Sequence, residues 1–148
     1  MSGSHSTLIF RRAPKEMPRA ALKLFAGELE LKISGGRHFT CLITSDEELR
    51  RLNRQFLDHD YPTDVLSFPE PGPDGFLGEM AISADRAAEQ AREFGHTLDT
   101  EIRILMLHGL LHLMGMNHER DRGKMARAER GYRRELGLPA GLIERVRP

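Results

Sequence analysis

Three histidines carry the strongest chemical signal in the chain: His108, His112 and His118, in the segment His108-Gly-Leu-Leu-His112-Leu-Met-Gly115-Met-Asn-His118. Residues four apart on an α-helix differ by about 40° in azimuth and lie ~6 Å apart along the axis. His108 and His112 therefore project as neighbours from one face, able to grip one ion. Gly115 can take a left-handed backbone and turn the chain back, so that His118 approaches the same point. Three neutral imidazoles around one zinc ion leave a fourth position for water, the arrangement of a catalytic rather than a closed structural site. Zinc acidifies such a water toward a pKa of ~7, which makes hydroxide available at neutral pH. An i, i+4 pair of histidines alone fits an ordinary packed helix equally well. The third, placed just past a glycine turn, favours one Zn²⁺ held by His108, His112 and His118, with hydrolysis as its chemistry.

Positioning these side chains requires a helix from Asp99 or Thr100 to Met114, the most apolar in the chain, with Gly115 as its stop. Ahead of it, Thr7 to Arg12 reads as a strand and Glu16 to Lys32 as a helix with Ala20, Leu24 and Leu31 at helical spacing. His38 to Thr44 reads as a strand. Ser45 and Glu48 form a capping box for a helix with Leu49, Leu52 and Phe56 on one side. Val65 to Pro69 and Phe76 to Ser83, separated by a Pro-Gly-rich cluster, suggest a hairpin. Ser83 caps an Ala-rich helix that turns Ala84, Ala87, Ala88, Ala91 and Phe94 inward and closes at Gly95. A last helix, about Gly123 to Leu136, aligns Met125, Ala128, Tyr132 and Leu136. The expected fold is α+β: one domain spanning residues 1–148, a small mixed β-sheet covered by helices, and the metal site on the C-terminal half of a central helix. Composition agrees with a folded globular chain, at 39% hydrophobic and 30% charged residues. Lys plus Arg (22) equals Asp plus Glu (22), so attraction to phosphate must come from a local patch. One cysteine, Cys41, excludes an intramolecular disulfide and fits a reducing compartment. No apolar stretch approaches the ~20 residues needed to cross a bilayer, and the polar N-terminus has no signal-peptide core. A cytoplasmic protein without membrane association is expected.

The spacing His108-x3-His112-x5-His118 is shared with the metzincin proteases, but Gly109 stands where they carry the Glu that serves as general base. Glu101 or Glu119 would have to supply a carboxylate instead. The histidine segment instead resembles the signature of the YbeY family, bacterial rRNA maturation factors and endoribonucleases. Two further blocks agree, in the family's order: Leu52-Asn-Arg-Gln-Phe56 with Asp60-Tyr-Pro-Thr-Asp-Val-Leu-Ser-Phe-Pro69, and Leu77-Gly-Glu-Met-Ala-Ile82. The resemblance covers Leu52 to Glu119. It implies a metal-dependent, single-strand-specific endoribonuclease acting in small-subunit rRNA processing and ribosome quality control. It also implies zinc on the three histidines, an α+β fold, and rRNA, the ribosomal small subunit and assembly proteins as partners. Two positions depart from the family pattern. Leu57 stands where the family usually has an arginine implicated in activity, which could clamp a phosphate bidentately. Arg54, one turn back, and His59 are the candidate substitutes. Glu79 replaces the family's usual Asp and keeps the carboxylate.

Arg54 and Ser67 are thus the candidate catalytic residues. Ser67 could hydrogen-bond a substrate or satisfy backbone, with equal weight. Asp60 and Asp64 could orient a histidine, but turn capping is the reading preferred. Arg120, Arg127, Arg130 and Arg134, with Arg133 and Lys124, recur at helical spacing as a candidate basic stripe. Glu119, Asp121, Glu129 and Glu135 dilute it toward a solvated face. Arg11, Arg12, Lys15 and Arg19 form a weaker basic group. His5, His38 and His96 read as surface residues and Cys41 as a small core residue. A zinc endoribonuclease is the leading reading. The alternatives are a ribosome-assembly factor with weak or vestigial catalysis, and a metallohydrolase on non-RNA substrates.

Overall fold

The computed structural model describes residues 6–57, 63–116 and 122–139. Four strands, β1 (Thr7–Phe10), β2 (His38–Thr44), β3 (Val65–Pro69) and β4 (Phe76–Ser83), form one sheet in the order β1-β2-β4-β3. β1 and β4 both run parallel to β2, and β3 pairs antiparallel with β4. The sheet is therefore mixed, and β3 is an edge strand closed by the expected hairpin. Among the described residues there are five α-helices: α1 (Arg19–Lys32), α2 (Asp46–Leu57), α3 (Ala84–Phe94), α4 (Leu98–Leu113) and α5 (Lys124–Glu135). The α+β expectation holds, and no described helix is long and apolar enough to cross a membrane.

Strand alternation divides the molecule into two unequal cores. Leu8, Phe39, Cys41, Ile43, Met80 and Ile82 point to one face, where they pack with α1, α3 and α4. Leu66 and Ala81 point to the other, against Leu49 of α2, with Leu42, Leu52 and Phe68 partly buried around them. α2 covers only part of this second face. Ser45 caps it as expected, accepting from the Glu48 amide at 3.2 Å. Ser83 likewise accepts from the Arg86 amide at 3.1 Å, and Gly95 ends α3 in the left-handed conformation.

α1 differs from the expectation in start and in facing. It begins at Arg19, because Pro18 lacks an amide hydrogen and pushes Met17 out of helical conformation. It buries Leu22, Phe25, Ala26 and Leu29, while Leu24 and Leu31 are 78% and 75% exposed. The helix carries two apolar stripes, and the one with the aromatic ring faces the sheet. β1 stops at Phe10 rather than Arg12, since Arg12 has φ +55°. Phe94, expected inside, is 45% exposed, and Phe56 is 60% exposed.

α4 is the central helix. Thr97 caps it, accepting from the Thr100 amide at 3.1 Å, so it starts at Leu98, a residue or two before the expected start. Helices apolar on every side are buried ones, and the run from Ile104 to Leu111 is buried throughout. At Gly109 the helix lies close on the sheet. A Cβ there would sit 2.9 Å from Met80 Sδ and 3.2 Å from Val65 Cγ2.

Candidate metal centre

The last two turns of α4 present His108 and His112 side by side. Their rings meet edge-on with centroids 4.8 Å apart, and the two Nε2 atoms are 3.2 Å apart. Two ligand nitrogens of a tetrahedral zinc, each about 2.05 Å from the ion, are separated by roughly 3.3 Å. The two nitrogens thus already stand at the spacing of one tetrahedron edge, and the donor chemistry fits the metal.

His108 is held from behind. Its Nδ1 lies 2.7 Å from Oε2 of Glu129 on α5, and Glu129 is 1% exposed. A carboxylate on Nδ1 keeps the proton there and leaves Nε2 as a lone-pair donor turned toward His112. Glu129 therefore does not belong with the solvated carboxylates of α5, where its charge alone would place it. The signal legible in the sequence is its position: Met125, Glu129, Tyr132 and Leu136 follow the i, i+4, i+7, i+11 stripe that packs inward. An acid inside an apolar stripe calls for a buried partner.

The helix ends as the spacing requires. Gly115 has φ +94°, and the Met116 amide donates to Leu111 O at 3.1 Å, which closes the C-terminal end of α4. His118, the third expected ligand, lies outside the described residues, as do His59, Asp60, Glu119 and Arg120. Among the described residues no group of three metal-binding side chains converges.

The other candidates fall in several places. Ser67 Oγ donates to the carbonyl of Gly109 at 3.0 Å, fastening edge strand β3 to the helix one residue from His108. Arg54 lines a depression with Arg12, Arg50, Arg51, Glu47 and Glu48. Asp64 accepts from Gln90 Nε2 at 3.0 Å, while its carbonyl accepts from the Ser83 amide. Glu101 is fully buried and bonds His96 Nε2 at 2.5 Å. Seven residues before His108, it sits about 10 Å down the helix and cannot serve the site. His96 is correspondingly drawn inward rather than left on the surface, with its side chain 13% exposed. Burial pushes the Cys41 thiol up, as befits an inert core residue. Arg127 reaches the carbonyl of Arg122, and Arg133 that of Leu138, so those two serve local backbone. Arg19 lies over the Phe10 ring and Arg11 pairs with Glu48.

Comparison with known proteins gives the chain its relatives. A family model described as Endoribonuclease YbeY matches residues 6–137. A Solibacter usitatus protein named Endoribonuclease YbeY is 58% identical over 141 residues, 95% of each chain. One of the same name from Nautilia profundicola is 51% identical over 105 residues, covering 70% of this chain and 76% of that one. The solution structure of a Thermotoga maritima protein superposes with a TM-score of 0.59 at 31% identity, covering 86% of this chain and 85% of its own.

Proposed function

The chain belongs to the YbeY family of endoribonucleases, and we propose that it is a zinc-dependent endoribonuclease that cuts single-stranded RNA. Its place is the cytoplasm, in maturation and quality control of small-subunit rRNA, alongside the small subunit and its assembly proteins. The observation that carries the metal dependence is the 3.2 Å approach of His108 Nε2 and His112 Nε2, with Glu129 fixed on the opposite nitrogen of His108.

His108, His112 and His118 would hold the ion. When bound, zinc supplies Lewis-acid polarisation of a phosphoryl oxygen and lowers the pKa of water to ~7. The chain's own residues do the rest. Glu129 orients His108 and keeps its proton on Nδ1. Ser67 ties β3 to α4 at Gly109 and so fixes the height of the helix against the sheet. Gly109 speaks against peptide hydrolysis: position 109 bears no carboxylate and faces Met80 and Val65, where even a Cβ is crowded. A second reading, an assembly factor with weak catalysis, rests on Leu57 at the family's arginine position.

The test compares wild type, His112→Ala and Leu57→Arg on single-stranded RNA, with zinc content measured on each protein. Cleavage by wild type that disappears together with zinc in His112→Ala is the expected result. Loss of zinc with unchanged cleavage overturns the proposal. Cleavage by Leu57→Arg alone transfers the case to the assembly-factor reading.

A further inference from the structure

Among the described residues, α2 covers only part of the second face of the sheet, and the gap is a groove of about 570 Å³. That volume is within the ~300–1,000 Å³ of small-molecule sites, enough for one nucleotide and too small for a duplex. Ile9, Leu42 and Phe68 form its apolar floor, and Thr40 and Glu79 supply polar atoms. Phe56 forms one wall, 60% exposed, its ring edge-on to Phe68 with centroids 6.1 Å apart. A phenyl ring that the core does not use and that flanks a slot is a stacking surface for an unpaired base.

Next to this slot the charge is one-sided. Arg12, Arg50, Arg51 and Arg54 line an adjoining depression with Glu47 and Glu48. Glu48 is already engaged: it accepts from Arg11 at 2.6 Å, Arg51 at 3.1 Å and Thr44 at 2.6 Å. Arg11 and Arg51 nevertheless keep about half of their side chains exposed, 54% and 52%. Groove and depression together thus hold five guanidiniums and four carboxylates, Glu47, Glu48, Glu70 and Glu79, in a chain whose total charge is zero. At the hairpin end of the groove stand Glu70 and Glu79, which repel phosphate. The charge gradient sets an orientation, with phosphates along α2 and the base turned into the slot. Phe68 and Ser67 are neighbours on edge strand β3. Phe68 faces the groove, and Ser67 faces α4 one residue from His108.

We propose that this groove is an RNA subsite remote from the metal: one unpaired base stacks on Phe56, its flanking phosphates lie on the Arg12–Arg50–Arg51 cluster, and the strand then passes over the β3 edge toward the histidines. The proposal rests on the RNA reading of the metal centre and adds to it where the substrate is held. It accounts for single-strand preference through a slot that admits a base only when it is unpaired.

The experiment measures fluorescence anisotropy of a labelled single-stranded 2′-O-methyl oligoribonucleotide bound to the zinc-loaded protein across a salt series. Wild type is compared with Phe56→Ala and with Arg12→Ala/Arg50→Ala, after checking that zinc content and melting temperature are unchanged. Phe56→Ala is expected to weaken binding about fivefold or more, the scale of one lost base stack. The double arginine variant is expected to reduce the slope of log K against log salt by about 1.4, the value for two single-strand phosphate contacts. Wild-type affinity and salt slope in both variants overturn the proposal, and would mark the groove as a site for another occupant, such as a protein segment. Tight binding of this oligonucleotide, with no cleavage of unmodified RNA of the same sequence, sinks the nuclease reading while leaving the subsite standing on its own variants. No binding by wild type sinks both.

Discussion

Glu129 shows how much a single residue can decide. Its carboxylate is buried and touches Nδ1 of His108, so it controls which nitrogen of that ring turns toward His112. Removing such a partner typically costs 10–100-fold in metal affinity. We expect Glu129→Ala to lose zinc affinity on that scale in a competition titration with a chelator. Glu129→Gln should fall between the two, because an amide oxygen still accepts from Nδ1–H. Equal affinity in all three proteins would mean that Glu129 only fills space. Gly109 is the other decisive residue. Alanine gains about 1 kcal/mol over glycine in helix propensity, but its Cβ would press on buried Met80 and on Val65 together. Overpacking costs about 1–3 kcal/mol, which outweighs the gain in propensity. Gly109→Ala should therefore lower stability in urea unfolding. A rise in stability would show that α4 has slack against the sheet.

At the scale of elements, α1 is the instructive case. Leu24 and Leu31 repeat at helical spacing as cleanly as the buried set does, yet both lie in solvent. Leu24→Gln should therefore change unfolding free energy by no more than about 0.5 kcal/mol, as surface substitutions do. Leu29→Ala, in the core beneath the same helix, should cost about 2–5 kcal/mol. Comparable losses at the two positions would contradict the observed facing. Periodicity identifies the helix, but it cannot choose between two stripes on one cylinder. That choice is made by the sheet, which offers Phe39, Cys41 and Ile43 to Leu22, Phe25 and Leu29. Capping signals are more dependable, because they act within one turn. Ser45 with Glu48, Ser83 with Arg86, and Gly95 all behave as their local sequence requires.

Across the whole molecule, Glu48 joins elements distant in sequence. Its carboxylate accepts from Thr44 at the end of β2, from Arg11 after β1 and from Arg51 within α2. The Thr44 hydroxyl first, and then the Arg11 guanidinium, hold its pKa below the ordinary 4.5 against the opposing effect of burial. A folded-state pKa lower than the unfolded one stabilises the fold above the unfolded value. That contribution is lost as pH falls through the folded one. Wild type should thus lose stability below about pH 4.5. Glu48→Gln should be less stable at neutral pH, and its deficit should narrow as pH drops through that window in thermal melts. A deficit independent of pH would assign the effect to packing alone.

Read alone, the sequence determined what depends on neighbours within a turn or two. This covers the adjacency of His108 and His112, the glycine turn after them, the capped helix starts and the β3–β4 hairpin. The family blocks from Leu52 to Glu119 likewise belong to the linear order of residues. Tertiary structure decided what depends on contacts between distant segments. It placed β4 between β2 and β3, turned Glu129 onto His108 from twenty-one residues away, and set Met80 and Val65 close against position 109. Among the described residues it also left a face of the sheet half covered and set the arginines of two separate segments at its rim. The physical reason is the same in each case. Helical and turn geometry is written in short-range sterics and hydrogen bonds, whereas the partner of a buried charge or the face of a helix is selected only when the layers pack.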